Sequence, residues 1–316
     1  MLTLSPVPVK DSRPSYRPFQ VTVARVQPLT PHFIRVTFTG DDLDVFGVDR
    51  LDQRLKIVFP GETGMSDFGA GDQETIADGS WYARWRSLPD AARNPFRTYT
   101  VRAVRPQQRE VDVDMVAHGD GGPASRWLTT AQPGQEVVII GPDAHSIDST
   151  VGIDWRPGDA RCVLLVGDET AAPAICSVLE SLPSGRTAQA FIEVPDDADI
   201  LAVDVPPGSQ LTWLPRNGAP NGAVLDPAVR TWVARNRPVY RAALADAAQQ
   251  VDDVDIDRDL LWDSPAAQDT GDFYAWLAGE AGVIKTLRRF LVSETGIDRK
   301  RIAFMGYWRT GKAEAQ

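Results

Sequence analysis

The chain has 316 residues, 43% hydrophobic and 24% charged, which is long enough for two domains and has the composition of an ordinary soluble globular protein. Its 43 acidic and 33 basic side chains leave a formal net charge of −10. That balance argues against nucleic acid as the main partner, because neutralising phosphates needs a basic face. No stretch approaches the roughly 18 consecutive apolar residues of a membrane span, and Pro6, Pro8 and Lys10 interrupt the apolar N-terminus. Neither membrane insertion nor a secretory signal is expected. Cys162 and Cys176 sit in apolar runs and read as thiols of a reducing compartment, so a cytoplasmic location is expected. Two cysteines and three scattered histidines are too few for an iron–sulfur cluster or a structural zinc site.

Roughly the first 150 residues hold short runs of alternating polarity: Phe19 to Val26, His32 to Thr39, Arg54 to Phe59, Phe96 to Val104, Glu110 to Val116 and Glu136 to Ile140. Such runs, punctuated by glycine and proline, predict a small antiparallel barrel. Residues 61–95 interrupt it as a polar insertion carrying Trp81, Tyr82 and Trp85, expected to pack onto the barrel. From about residue 159 the pattern changes. Arg161 to Val166 is an apolar strand, followed by the turn Gly167-Asp168-Glu169-Thr170 and a helix over Ala172 to Leu182, with Thr170 as N-cap and Pro173 in the first turn. Thr187 to Val194 and Gln210 to Leu214 continue the strands. Phe273 to Ala278 with Glu280 to Glu294 forms another strand–helix unit, and Arg301 to Phe304 a last strand. Strands alternating with helices predict an open parallel sheet whose ligands gather at the strands' carboxyl ends. The expected fold is therefore a β barrel (1–155) plus an α/β domain (156–316), the boundary falling near Asp154–Asp159. A polar segment at about 216–270, with a helix around Val239 to Gln250 and five aspartates between Val251 and Asp259, reads as an insertion.

Four constellations carry chemistry. In Arg97-Thr98-Tyr99-Thr100, alternation puts Arg97 and Tyr99 on one strand face. An arginine fork can hold a pyrophosphate, a phenol ring can lie on an isoalloxazine, and Thr100 can reach its N5 edge; a surface arginine on an ordinary strand would look the same. His118-Gly119-Asp120-Gly121-Gly122-Pro123-Ala124-Ser125 is a glycine-rich turn opening a helix, whose free amides suit a phosphate. A structural turn is the alternative reading. Gly167-Asp168-Glu169-Thr170 stands where a dinucleotide loop belongs, but it lacks G-x-G-x-x-G and presents two carboxylates to any pyrophosphate. Finally, Gly279-Glu280-Ala281-Gly282 and Gly306-Tyr307-Trp308-Arg309 each follow a strand, and Tyr307 and Trp308 could stack on an aromatic cofactor or serve as a hydrophobic anchor.

In this order, from about Phe19 to Gly311, these segments resemble the siderophore-interacting proteins, flavin-dependent ferric-siderophore reductases related to ferredoxin reductases. The resemblance implies FAD bound noncovalently by an N-terminal barrel, followed by a nucleotide-binding-type domain. It places Arg97, Tyr99 and Thr100 on the diphosphate and isoalloxazine, with His118 and the Gly122, Pro123, Ala124 and Ser125 turn assisting; Thr98, Tyr307 and Trp308 are further candidates for cofactor contact. Lys56 stands where the family has a pocket lysine. Lys285, Arg309 and Arg105 are further cations that could meet an anionic ferric chelate.

The function expected from this resemblance is reduction of a ferric siderophore to release Fe(II), with NADH, NADPH or a ferredoxin as donor; Arg216 is the one residue considered for a 2′-phosphate. No protein acid–base pair or nucleophile is required. A general NAD(P)H:flavin or ferredoxin-type reductase and a non-catalytic siderophore-binding flavoprotein are the rival readings.

Overall fold

The computed structural model describes residues 9–117, 122–267 and 271–312. Contacts divide the chain into two units, one built from the residues up to Pro28 with Ile34–Ile153, the other from Leu29–Phe33 with Asp154–Ala315.

The first unit is a seven-stranded antiparallel sheet that closes on itself. Its strands are β1 (Tyr16–Pro28), β2 (Phe33–Thr39), β3 (Arg54–Val58), β4 (Phe96–Thr100), β5 (Ala103–Arg105), β6 (Glu110–Val116) and β7 (Glu136–Pro142), in the order β4-β3-β7-β1-β2-β6-β5. The two ends of that order are one stretch of chain. The Val101 amide still donates to Gln53 beside β3, whereas the Arg102 amide donates to Asp112 on β6. The strand is handed from one neighbour to the other, and no free edge is left there. Alternation sends Phe19, Val21, Val36, Phe38, Leu55, Ile57, Val111 and Val113 inward, and they form the barrel core.

The insertion between β3 and β4 folds into α1 (Gln73–Asp78) and α2 (Trp81–Ser87). It covers a second apolar face of the barrel, as expected: Trp85, only 2% exposed, packs with Val58, Phe96, Val138 and Ile140 and donates its indole N–H to the Asn94 carbonyl at 3.0 Å. Helix α3 (Pro123–Thr130) precedes β7 and buries Trp127 and Leu128 in the core.

The second unit is a six-stranded sheet made of β8 (Cys162–Gly167), β9 (Thr187–Val194), β10 (Gln210–Pro215), β11 (Trp262–Asp263), β12 (Phe273–Glu280) and β13 (Ile302–Trp308). Its order is β10-β9-β8-β12-β13-β11, parallel throughout except for the short antiparallel β11. The chain leaves the centre at β8 towards β10 and returns to it at β12. The gap beyond the carboxyl ends of β8 and β12 is therefore the topological switch point, where such sheets bind ligands. Helix α4 (Ala172–Glu180) links β8 to β9, and α7 (Ala281–Arg288), continued by a π-helical turn at Arg289–Glu294, links β12 to β13.

Two local expectations change. The 216–270 segment has its main helix at α5 (Leu225–Arg235), followed by α6 (Arg237–Tyr240), and no helix over 244–250. There the Ala245 amide donates to Gly296, and Ala243 accepts from Asp298; tertiary pairing outweighs the alanine-rich propensity. Thr170 does not cap α4. The N-cap is Ala171, whose amide, with that of Ala172, donates to the Asp168 carbonyl.

Candidate functional site

In the first unit, strand register sorts the Arg97–Thr100 tetrapeptide. Arg97 and Tyr99 lie opposite Ile57 and Leu55, whereas Thr98 and Thr100 lie opposite Lys56 and Arg54 and so point to the other face. The common face of Arg97 and Tyr99 is as expected from alternation, but Thr98 and Thr100 do not share it. Arg17, Arg25, Arg35, Arg102 and Arg105 each pair with a carboxylate. Arg97 differs from these. Among the described residues its half-buried guanidinium has no acidic partner and donates only to the Phe96 carbonyl, at 2.7 Å. A cation withheld from carboxylates in so acidic a chain is ready for an external anion.

Gly122 opens α3 in an extended conformation with no side-chain cap, and a Cβ there would meet nothing within 4 Å. Pro123 fills the first turn, and among the described residues no side-chain hydrogen bond caps the amide end that includes Ala124 and Ser125. His118 lies outside the described residues. Lys56 donates to Thr98 Oγ1 at 3.0 Å and sits 4.7 Å from the Phe96 ring centroid. It thus belongs to the face opposite Arg97 and Tyr99. Arg105 is taken by Asp112 and Glu110 on β6.

In the second unit, the switch point is built from carboxylates. Asp168, directly after β8, is buried, and its two oxygens accept four hydrogen bonds. Oδ1 takes the Thr170 amide at 2.9 Å and Thr170 Oγ1 at 2.6 Å; Oδ2 takes the Glu280 amide at 2.7 Å and the Trp308 indole N–H at 2.8 Å. One side chain thereby fixes the ends of β8, β12 and β13. Burial, and then the neighbouring Glu169 charge, push its pKa up to about 7, against the pull of those donors.

Glu169 is fully buried and grips Arg216 bidentately, at 2.7 and 2.8 Å. Glu193 accepts from the Gly222 and Leu225 amides and so caps the start of α5; burial raises its pKa. Glu280 caps α7 through the Val283 amide at 3.0 Å. Asp168, Gly279 and Glu280 line a small cavity with Asn221, Gly222 and Val283. The buried Asn221 side-chain nitrogen there has no hydrogen-bond partner among the described residues.

β13 runs as far as Trp308, so Tyr307 and Trp308 are strand residues and take opposite faces. Trp308 reaches Asp168, while Tyr307 stacks on Trp262 at 5.8 Å and meets Trp276 edge-on at 6.1 Å. Lys285 and Arg309 pair with Asp253 and Asp257. Sequence reasoning noticed Asp168 and Glu169 but not that Trp308 and Arg216, 140 and 47 positions away, pair with them. The available signal was a pair of acids placed directly after a fully apolar strand, where burial demands partners.

Residues 22–146 match the siderophore-interacting FAD-binding domain, and residues 160–311 match the siderophore-interacting protein model. An uncharacterized protein of Mycobacterium tuberculosis is 32% identical over 300 residues, covering 94% of this chain and 91% of the relative. The chain belongs to the siderophore-interacting protein family. Within and around that family, the ferric vibriobactin reductase ViuB of Vibrio cholerae is 29% identical over 288 residues, 90% of this chain and 87% of ViuB. A siderophore utilization protein from T. fusca superposes with a TM-score of 0.67 at 26% identity, over 96% of this chain and 97% of the other. The ferredoxin reductase of carbazole 1,9a-dioxygenase shares the fold, with a TM-score of 0.56 at 13% identity over 93% of this chain and 70% of the other. Among the described residues, no helix is long and apolar enough to cross a membrane.

The family's FAD-binding domain fits the first unit on its own chemistry. An unneutralised arginine, an aromatic ring on the same strand face and an uncapped helix start are a donor set for a dinucleotide's phosphates and ring.

Proposed function

We propose that this protein is a FAD-dependent oxidoreductase that reduces a ferric siderophore to release Fe(II) in the cytoplasm. The observation that carries the reading is Arg97, a half-buried barrel arginine with no carboxylate partner among the described residues, on a strand of the domain that the FAD-binding family model matches. The full-length likeness to a protein named as a ferric vibriobactin reductase supports the substrate class.

When bound, FAD supplies the electron transfer that side chains cannot. The chain's own residues bind and orient. Arg97 holds the diphosphate with the Gly122–Ser125 helix start, and Tyr99 offers a ring beside it. Asp168 pins Trp308 and the Glu280 backbone, so the carboxyl ends of β12 and β13 keep one geometry. Reducing Fe(III) to Fe(II) takes one electron and no proton, so no side chain is assigned a proton-transfer step at the iron. Release follows from ligand preference: hard oxygen chelators hold Fe(III) far better than Fe(II).

A reduced nicotinamide serves as donor at the switch point. Arg216, the residue considered for a 2′-phosphate, is already held bidentately by Glu169, which favours NADH over NADPH. A ferredoxin is the competing donor.

The test reduces the purified flavoprotein anaerobically and adds a ferric siderophore with a ferrous trap. Prompt flavin reoxidation with Fe(II) capture is expected. A protein that stays reduced while an iron–sulfur partner reoxidises it is a protein-partner reductase instead.

A further inference from the structure

Three helices begin beyond the carboxyl ends of the second sheet's strands: α4 after β8, α5 after β10 and α7 after β12. Such helix starts hold a nucleotide's phosphates through amides that the helix itself leaves unpaired. Here the chain's own oxygens occupy each start. At α4 the Thr170 amide donates to Asp168 Oδ1, and the Ala171 and Ala172 amides donate to the Asp168 carbonyl at 3.0 and 3.1 Å. Pro173, next in line, has no N–H to give. At α5 the Gly222 and Leu225 amides donate to the Glu193 carboxylate at 2.8 and 3.0 Å. The Ala223 and Asp226 amides donate to the Pro220 and Gly222 carbonyls, and Pro227 again has no N–H. At α7 the Glu280 amide goes to Asp168 Oδ2 and the Val283 amide to the Glu280 carboxylate. That carboxylate lies over Gly282, where a Cβ would stand 3.0 Å from Oε2.

Each start is thus closed from inside by an acid that is itself buried: Asp168 is 3%, Glu193 0% and Glu280 8% exposed. Arg216, the cation that directly follows β10, is gripped by the fully buried Glu169 and is withheld as well. A diphosphate arriving at this edge would have to displace a carboxylate from amides it already holds. It would also bring its negative charges among buried acids, where like charges repel most strongly.

We infer that the second unit takes its donor by the dihydronicotinamide end and gives the diphosphate of NADH or NADPH no hold. The inference rests on the nicotinamide donor proposed above and specifies which part of that molecule is recognised. Hydride leaves the reduced ring for FAD and the ring departs as a pyridinium, so the transfer itself needs nothing from the adenosine diphosphate half. That half ordinarily supplies binding energy that is spent on orienting the ring. A chain that does not hold it should be indifferent to its removal.

Two measurements on the FAD-loaded protein test it. The first is calorimetric titration with ADP-ribose, which carries the diphosphate but no nicotinamide. No binding is expected up to about 1 mM. The second compares anaerobic flavin reduction by NADH, NADPH and dihydronicotinamide riboside, a donor without phosphate. The riboside should react within about threefold of NADH, whereas losing two charge-assisted hydrogen bonds would slow it by about 100-fold or more. NADPH should be the slowest of the three. In E169Q, which frees Arg216 from its ion pair, NADPH should gain about tenfold relative to the riboside. A riboside about 100-fold slower than NADH, ADP-ribose binding tighter than about 1 mM, or an unmoved ratio in E169Q overturns the closure. If all three nicotinamides fail and a reduced ferredoxin succeeds, the nicotinamide reading falls, and ADP-ribose binding still decides the closure by itself.

Discussion

Gly279 and Asp168 are fitted to each other: a Cβ on Gly279 would stand 2.6 Å from Asp168 Oδ2, and Gly279 holds φ at 149°, a value that side chains avoid. The last residues of β12 bulge here, and the bulge turns the Glu280 amide onto the carboxylate. Gly279→Ala should cost roughly 1–3 kcal/mol through the backbone alone, with further loss from the displaced carboxylate. Urea unfolding measures it, and an unchanged midpoint would show that the carboxylate does not need this notch.

Asp168 should make stability depend on pH in a particular direction. Its folded value of about 7 lies above the ordinary 3.8, so the folded chain keeps a proton that the unfolded chain releases between those values. The stabilisation from this group is complete below the ordinary value and is lost as pH rises through about 7. Glu169 sharpens the effect and Arg216 moderates it. Asp168→Asn should flatten the fall in unfolding free energy over that window by about one proton's worth of slope. The indole N–H resonance of Trp308 should titrate in the native protein and stay fixed in the variant.

The Glu169–Arg216 pair is a buried ion pair, so truncating one partner strands a charge. Arg216→Ala should destabilise by about 3–5 kcal/mol. The paired replacement E169L/R216M should recover most of that loss, because two apolar groups leave no charge unpartnered. A double-mutant cycle reads the coupling, and simple additivity of the single variants would show that the two do not depend on each other.

Arg97→Ala should weaken FAD binding by about 10–100-fold, the worth of hydrogen bonds to a charged group. Arg25→Ala, which removes a guanidinium held by Glu110 on the barrel exterior, should leave it unchanged. Titration of flavin-stripped protein with FAD compares them. Equal affinity in R97A and the native protein would remove Arg97 from the site.

The strands were legible because alternation and apolar runs report burial locally. Phe19, Val21 and Val23 face inward as their spacing requires, and the β8 run Cys162 to Val166 is apolar on both sides because helices and loops cover it. Helix α5 carried its own signal: Leu225, Val229 and Val233 recur at helical spacing and are the residues it buries. The alanines at 242–248 drew attention away from it, although their backbone is claimed by Gly296 and Asp298. At the site, a strand-end acid can be seen in sequence but its donors cannot. Asp168 is completed by Trp308, and Glu169 by Arg216, through topology that brings distant segments to one edge. Lys285 and Arg309 illustrate the converse. A basic residue is visible in sequence, while the aspartate that covers it is assigned only by the path of the loop.

The hand-off at Val101 and Arg102 has a consequence for how the first unit is made. A sheet whose last strand bonds to both flanks cannot be completed piecemeal, and β1 finds its longest pairing only with β7, from Tyr16 against Pro142 to Thr22 against Glu136. During synthesis Phe19 and Val21 must wait, uncovered, until the ribosome has released nearly the whole unit. Premature termination anywhere before Pro142 therefore yields no smaller folded product, only an open sheet with sticky margins. Chaperone demand, and not native stability, should set the yield of shortened versions.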